Sequence, residues 1–135
     1  MLSAYSFCGR RRAGLLRAEN PDPKDVRKLA CAHLVIANTG LAHGVPARFM
    51  LSPGRGRTRL AQARQTAQYL CHIRFSMTLT QIGQTFNRDR TTVSHACQRI
   101  EEMRDIPSHD LAMDCLEAGL EQLAQSLDLI DDDAC

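Results

Sequence analysis

Apolar positions recur along the chain at the three- and four-residue spacing of amphipathic α-helices. The first such segment follows the helix-start signal Asn20-Pro21-Asp22-Pro23, and Asn38-Thr39-Gly40 predicts its end. Its periodic positions are Val26, Leu29, Ala30, His33, Leu34 and Ala37. The cluster Phe49-Met50-Leu51 then predicts a single helical turn in the core, and residues 60 to 75 predict a second long amphipathic helix.

The next two segments are joined by a tight turn. Thr78, with Gln81 three residues later, has the spacing of a capping box and opens a short helix. Gly83, inside this short helix, predicts the close approach of a neighbouring helix. Asn87-Arg88 predicts the turn, and a longer helix covers about residues 89 to 103. A short helix, a tight turn and a longer helix with a polar N-terminal face have the sequence form of a helix-turn-helix.

The composition agrees with this helical pattern. The chain has 135 residues, which is the size of one domain, and 44% of them are hydrophobic, which is enough for a cooperative core. Aromatic residues make up only 4%, tryptophan is absent, and Ala, Leu, Gln and Arg dominate. Such a mixture favours helices over strands, so we expect an all-α protein.

We expect three regions along the chain. Residues 1–20 form a flexible basic N-terminal arm, residues 21–130 form the helical domain, and residues 131–135 form an acidic, disordered tail. Ser108 is expected to cap the last helix of the domain. The heptad-like seam of that helix is Leu116, Leu120, Leu123, Leu127 and Ile130. Packing of the seam on the domain is favoured, and a seam for a partner or a dimer is the alternative.

Charge is strongly separated along the chain although the net charge is only +2. Residues 54 to 104 carry a net charge of +6, and residues 105 to 135 carry −9. This asymmetry indicates a body that binds a polyanion. The loop Gly54-Arg55-Gly56-Arg57-Thr58-Arg59 can follow a nucleic-acid backbone or enter a narrow minor groove, and a solvated basic loop is the alternative.

The first turn of the longer helix carries the chemistry that base edges and phosphates require. Arg90 suits guanine, and the Thr91 and Thr92 side chains suit a thymine methyl group. Asp89 can accept from a cytosine amino group, and on local grounds it is at least as well suited to cap the helix. For His95, contact with a phosphate or simple exposure is favoured over catalysis or metal binding.

Other classes of function find no support in the sequence. The six cysteines lack C-x-x-C pairs, and neither a zinc site nor a disulfide framework is indicated. No nucleophile with a base, pair of carboxylates or metal cluster can be assembled, so we expect neither an enzyme nor a cofactor. No stretch has the length of a membrane span, and the N-terminus lacks the pattern of a secretory signal. We therefore expect a cytoplasmic protein that is associated with the nucleoid.

Residues 63 to 100 strongly resemble the C-terminal DNA-binding domain of the bacterial replication initiator DnaA. That family has a helix that opens with Arg-Gln, a Leu-x-x-Ile-Gly-x-x-Phe helix, and the signature Arg-Asp-His-Thr-Thr-Val-x-His-Ala. This chain has Arg64-Gln65, Leu79 to Phe86, and Arg88 to Ala96 at the corresponding places. The resemblance implies a compact helical domain with a helix-turn-helix of the DnaA domain IV, or Trp-repressor-like, type.

The resemblance also implies roles for individual residues. Four residues would face the major groove: Asp89, Arg90, Thr91 and Thr92. Arg55 or Arg57 would enter the adjacent minor groove, and Arg64, Arg88 and His95 would lie near phosphates. Ser94, on the polar face of the same helix, completes the expected DNA-binding set.

Two departures from the family pattern concern the reading of bases. Arg90 replaces the histidine of the signature, which exchanges a compact ring for a long bidentate donor that favours guanine. Asn87 stands in place of a Gly-Gly pair, which shortens the turn by one residue. The chain also contains no G-x-x-x-x-G-K-[ST] phosphate loop.

The hypothesis that follows is a sequence-specific regulator that binds double-stranded DNA and acts in transcription or replication control. The alternative is a protein-interaction module that binds a replication or transcription factor through the acidic C-terminal helix, at residues 111–130. The sequence leaves the oligomeric state open, because a single DNA-binding head commonly needs a dimer, a neighbour or a partner for strong specificity.

Overall fold

The computed structural model describes residues 22–52 and 58–127. The expected N-terminal arm, the loop arginines Arg55 and Arg57, and the acidic tail lie outside these ranges. The described residues form helices and no strand, which confirms the all-α expectation. In chain order the helices are α1 (Pro23–His43), α2 (Ala47–Met50), α3 (Thr58–Phe75), α4 (Leu79–Phe86), α5 (Arg90–Met103) and α6 (Pro107–Ser126).

The first helix begins as predicted and ends later than predicted. Asp22 caps α1 by accepting a hydrogen bond from the Lys24 backbone N–H at 2.9 Å, and a proline occupies the first turn. The predicted stop at Gly40 is wrong, because Gly40 stays helical where the chain folds back on itself. A Cβ atom at this position would lie 2.6 Å from the carbonyl oxygen of Val45. The left-handed cap falls instead at Gly44, whose φ is 66°.

The third helix, α3, lies at the centre of the domain. Helices α1, α5, α4, α2 and α6 all pack against it. Its predicted apolar stripe is buried at Ala63, Ala67, Leu70 and Cys71. Arg64 and Gln68 were placed beside this stripe and are buried as well, because neighbours enclose α3 on more than one side.

Helices α1 and α5 both pack against α3 but are not among the closely packed pairs. Gln65 and Gln68 of α3 line a groove together with α5, and no residue of α1 lines this groove. Near their C-terminal ends the two helices come closer, because a small pocket is lined by His43 of α1 together with Ile100 and Met103 of α5.

Only some of the apolar residues of α1 face the core. Leu29, Val35 and Ile36 are buried, whereas Val26 and Ala37 are exposed, as is Ala30. The periodicity of the first segment therefore does not by itself identify the core, because α1 is apolar on two faces.

The last helix begins at Pro107 rather than behind a serine cap. Ile106 is at the N-cap position without a side-chain hydrogen bond, and Ser108 lies inside the helix, so the predicted cap is wrong. Pro107 suits the first helical position because its nitrogen has no hydrogen to leave unpaired. The predicted seam of this helix is only partly covered: Leu120 is buried and Leu116 is partly buried, whereas Leu123 and Leu127 are exposed. The last seam residue, Ile130, lies outside the described residues.

Acidic side chains of α6 are bound by arginines of the same chain. Arg104 donates to Asp110 at 2.7 Å, to Asp114 at 2.6 Å, and to Glu117. Arg74, at the end of α3, also donates to Glu117, which is buried. Because Arg104 is the C-cap of α5, this network joins α6 to the C-terminal end of α5.

The cysteines that lie in the core behave as small apolar residues. Cys31 and Cys71 are buried, and Cys71 is fully enclosed. Burial raises the pKa of the Cys71 thiol, so this group stays neutral.

None of the helices in the described ranges is long and apolar enough to cross a lipid bilayer.

Candidate nucleic-acid interface

The predicted helix-turn-helix is present and consists of α4, a tight turn and α5. The capping box at the start of α4 is confirmed, since the Gln81 N–H donates to Thr78 Oγ1 at 3.1 Å and the Thr78 N–H donates to Gln81 Oε1 at 3.0 Å. Asn87 ends α4 in the left-handed region with a φ of 55°. Asparagine tolerates this conformation better than most residues, so a single Asn87 can make the turn.

Gly83 allows the turn to fold tightly against α4. The Arg88 N–H donates to the Gly83 carbonyl at 2.8 Å. A Cβ atom on residue 83 would lie 2.6 Å from the Arg88 carbonyl oxygen. The predicted close approach is therefore confirmed: the nearest atom belongs to the turn, and the backbone nitrogen of Arg90, the first residue of α5, lies 3.7 Å from the same Cβ position.

The N-terminal half of α5 presents its polar side chains to solvent. Exposed residues here are Asp89, Arg90, Thr91, Thr92, Ser94 and His95. Val93 and Ala96 are buried and hold this helix against the core. The sequence placed these six polar residues on one helix, and the structure brings them together on its exposed surface.

Asp89 occupies the N-cap position of α5 without acting as a side-chain cap. Its backbone has the extended conformation of an N-cap residue, but its carboxylate makes no capping hydrogen bond. The capping interpretation of this side chain is therefore wrong. Its exposed carboxylate is instead available for a ligand beside the first turn.

Two concave surfaces flank the exposed part of α5. The first, the α3–α5 groove, is lined by Ala61, Arg64, Gln65, Gln68, Arg88, Thr92, His95, Ala96, Gln98, Arg99 and Glu102. The second, the turn groove, is lined by Thr80, Gly83, Gln84, Asn87, Arg88, Asp89, Arg90 and Thr92. Arg88 and Thr92 belong to both surfaces, so the two grooves form one continuous basic and polar face.

Arg99 belongs to this face and was missed by the sequence analysis. It lies four residues after His95, which is one helical turn along the same side of α5. Gln65 of α3 was also missed as a lining residue. The four-residue spacing could have identified Arg99, but only the packing of α3 against α5 brings Gln65 to the groove.

The side chain of Arg64 is buried and donates hydrogen bonds to backbone carbonyls of the same chain. It is 5% exposed, and its Nε donates to the Met50 carbonyl at 2.9 Å. Its Nη2 donates to the carbonyls of Phe49 at 2.7 Å and Ser52 at 2.9 Å. These carbonyls end α2, so Arg64 acts as a cap for that short helix. Its expected contact with a phosphate stays a prediction.

Arg64 and Arg88 bring two positive charges to one end of the α3–α5 groove. Arg88 Nη2 donates to the Ser52 carbonyl at 3.3 Å, the same oxygen that accepts from Arg64. Burial, and to a lesser extent the charge of Arg88, lower the pKa of Arg64 from its ordinary value. Arginine nevertheless stays protonated, so the pair favours an anion nearby.

Comparison with known proteins gives two findings. The family model for the bacterial dnaA protein helix-turn-helix matches residues 33–100, about half of the chain. A segment of 48 residues is 54% identical to the chromosomal replication initiator protein DnaA of Mycobacteroides abscessus. This segment makes up 35% of the chain and 10% of that relative, so the match covers a small part of the initiator.

The contact at Gly83 predicts that substitution by alanine changes the stability of the fold in opposite directions at two helical glycines. Gly83→Ala should destabilise the fold, because the new methyl group must displace the Arg88 carbonyl and with it the turn. Gly119→Ala, in α6, should stabilise it by up to about 1 kcal/mol, since no atom lies within 4 Å of the new Cβ and alanine is the better helix former. Urea unfolding followed by circular dichroism measures both changes. Equal effects of the two substitutions would contradict the close contact.

The bonds of Arg64 predict a role in stability. Arg64→Ala should lower the free energy of unfolding by about 3 kcal/mol, because buried carbonyls at the end of α2 lose charged donors. Arg59→Ala, an exposed arginine in the first turn of the same helix, should change it by less than about 0.5 kcal/mol. The same urea experiment compares the two variants. Wild-type stability of Arg64→Ala would show that these hydrogen bonds are not needed.

Proposed function

This chain belongs to the family of the bacterial DnaA protein helix-turn-helix, and we propose that it binds double-stranded DNA in a sequence-specific manner. The observation that carries the proposal is the exposed N-terminal half of α5, which presents six polar side chains between two basic grooves. A helix of this kind fits the major groove, with its first turns at the base edges.

The base-contacting residues in this proposal are those of the first turn of α5. Arg90 donates to guanine O6 and N7, and Thr91 and Thr92 contact a thymine methyl group or accept and donate at base edges. Asp89 accepts from a cytosine amino group, which its lack of a capping bond supports. Ser94, one turn after Arg90, reaches the same strand or its phosphate.

The phosphate contacts in this proposal lie along the α3–α5 groove. Arg88, His95 and Arg99 line one side of it, and each can donate to a phosphate oxygen. The charge of Arg64 adds to the positive potential there. We further propose, from the family resemblance, that Arg55 or Arg57 enters the adjacent minor groove.

The biological role we propose is control of transcription or replication, exerted from DNA in the bacterial cytoplasm. A protein that occupies a specific site on DNA can block or recruit other proteins there.

The alternative function, recognition of a protein by the acidic helix, gains no support from the contacts. Asp110, Asp114 and Glu117 bind Arg104 or Arg74 of the same chain. A partner that recognised these carboxylates would have to displace those arginines. This alternative stays a prediction, and the absence of DNA binding in the next experiment would favour it.

Selection of bound duplexes from a random pool tests the proposed function. The purified chain should enrich one motif and bind it more tightly than a scrambled duplex of the same length. About seven phosphate contacts should give a slope of about −6 for log affinity against log salt. Binding without enrichment would contradict sequence specificity, and no binding at all would remove the proposal.

Two arginines of α5 should differ in what they contribute. Arg90→Ala should relax the preference at one base pair by about 1–3 kcal/mol, because it removes a bidentate base contact. Arg99→Gln should weaken the selected and scrambled duplexes alike and reduce the salt slope by about 1. Fluorescence anisotropy at several salt concentrations measures both. If Arg90→Ala weakened all duplexes equally, its assignment to a base contact would be wrong.

A further inference from the structure

The outer surface of α1 carries an apolar stripe that the described residues leave largely exposed. Val26, Ala30, Leu34, Ala37 and Leu41 follow one another at steps of four, four, three and four, which places them on one helical face. Val26 is 44% exposed, Leu41 is 84% exposed, and the two alanines are exposed as well, whereas Leu34 is partly buried against the core. From Leu29 to Leu41 the helix contains no Asp, Glu, Lys or Arg. A helix that is apolar on both faces is typical of one that is buried on both.

We propose that this stripe pairs with the same stripe of a second copy of the chain, in an antiparallel arrangement. The order of side chains is close to symmetric about the midpoint between His33 and Leu34. Val26 would meet the partner's Leu41, and Ala30 would meet the partner's Ala37. A self-complementary surface of this kind is what a two-fold dimer requires. The two pairs of alanines let the helices approach closely, while the larger residues at the ends fill the remaining space.

The charges of α1 favour this direction of pairing. The carboxylates of Asp22 and Asp25 are favourable at the N-terminus of α1, which is the positive end of its helix dipole. Three cations lie in the same first two turns, where that positive end disfavours them: Lys24, Arg27 and Lys28. At the C-terminal end, only His43 can carry a charge within the last turn. An antiparallel partner brings the negative end of its own helix dipole next to these cations. A parallel partner would instead place the two basic ends together.

The pairing leaves the candidate nucleic-acid interface accessible. The residues that line the two grooves come from α3, α4, the turn and α5, and none comes from α1, so a partner on the outer face of α1 leaves them accessible. The stripe is about 22 Å long, and a contact confined to one helix of each copy buries less surface than a permanent dimer interface. We therefore expect a dimer that forms reversibly as the concentration rises. It would present two DNA-binding heads, and its formation does not depend on DNA.

Sedimentation equilibrium of the full chain without DNA tests the pairing. The average mass should rise from 15.0 kDa toward twice that value with increasing concentration. Ala37→Glu should stay monomeric, because it places a carboxylate against the partner's apolar stripe. Ala118→Glu, at an exposed position on α6, is the matched control and should behave like the wild type. A wild type that stays monomeric throughout, or a dimer that persists in Ala37→Glu, would overturn the proposal.

A compensating pair of substitutions tests the antiparallel register. Ala30→Lys alone should be monomeric, like Ala37→Glu, whereas the double variant Ala30→Lys/Ala37→Glu should regain the dimer, since each lysine then faces a glutamate of the partner. In a parallel pair, like charges would face each other and the double variant would stay monomeric. Recovery also shows that the single variants did not merely unfold, which circular dichroism checks independently. Failure of recovery, with both single variants folded, would overturn the register.

Discussion

The carbonyl oxygen of Ser52 accepts hydrogen bonds from both Arg64 and Arg88, and the position of the helix-turn-helix depends on this junction. Arg64 also holds the carbonyls at the end of α2, so the short helix is fixed to α3. Arg88 is part of the turn that leads into α5. The two guanidinium groups thus join the α1–α2 half of the domain to the α4–α5 half. The two positive charges are held close together and repel each other, and an anion bound at the groove would reduce this repulsion.

A second consequence of the packing is that the carboxylates of α6 do not neutralise the basic face. The carboxylates of α6 bind Arg104, which caps the C-terminal end of α5, and Arg74, at the end of α3. The exposed polar residues lie toward the other end of α5, roughly 14 to 22 Å from Arg104 along the helix axis. At this distance and at physiological salt, the attraction between exposed charges is largely screened. Opposite charges in one small domain can therefore serve different purposes: attachment of α6 and attraction of a polyanion.

Much of the local structure could be predicted because it depends on residues that are close in sequence. The capping box of Thr78 and Gln81, the turn at Asn87 and the tight contact at Gly83 each arise within a few residues of chain. The polar face of α5 also follows directly from helical spacing. Predictions failed where a distant segment decides the outcome, as for Arg64, which is buried because it donates to carbonyls 12 to 15 residues earlier in the chain. The helix stop predicted at Gly40 failed for a local reason, since its small size serves the fold-back at Val45 and the helix continues.

By itself the sequence determined that this protein is helical and that it contains a helix-turn-helix. It also determined which residues share the exposed face of α5. These properties follow from backbone hydrogen bonding and from the period of the helix. Only the tertiary structure decided which polar residues are internal. Arg64 and Arg88 differ little as sequence signals, yet one is enclosed by the carbonyls that end α2 and the other lines both grooves. Likewise, the two apolar faces of α1 cannot be ranked from spacing, and contact with α3 selects one for the core. Burial depends on what packs against a face, and that is set by segments far away in the chain.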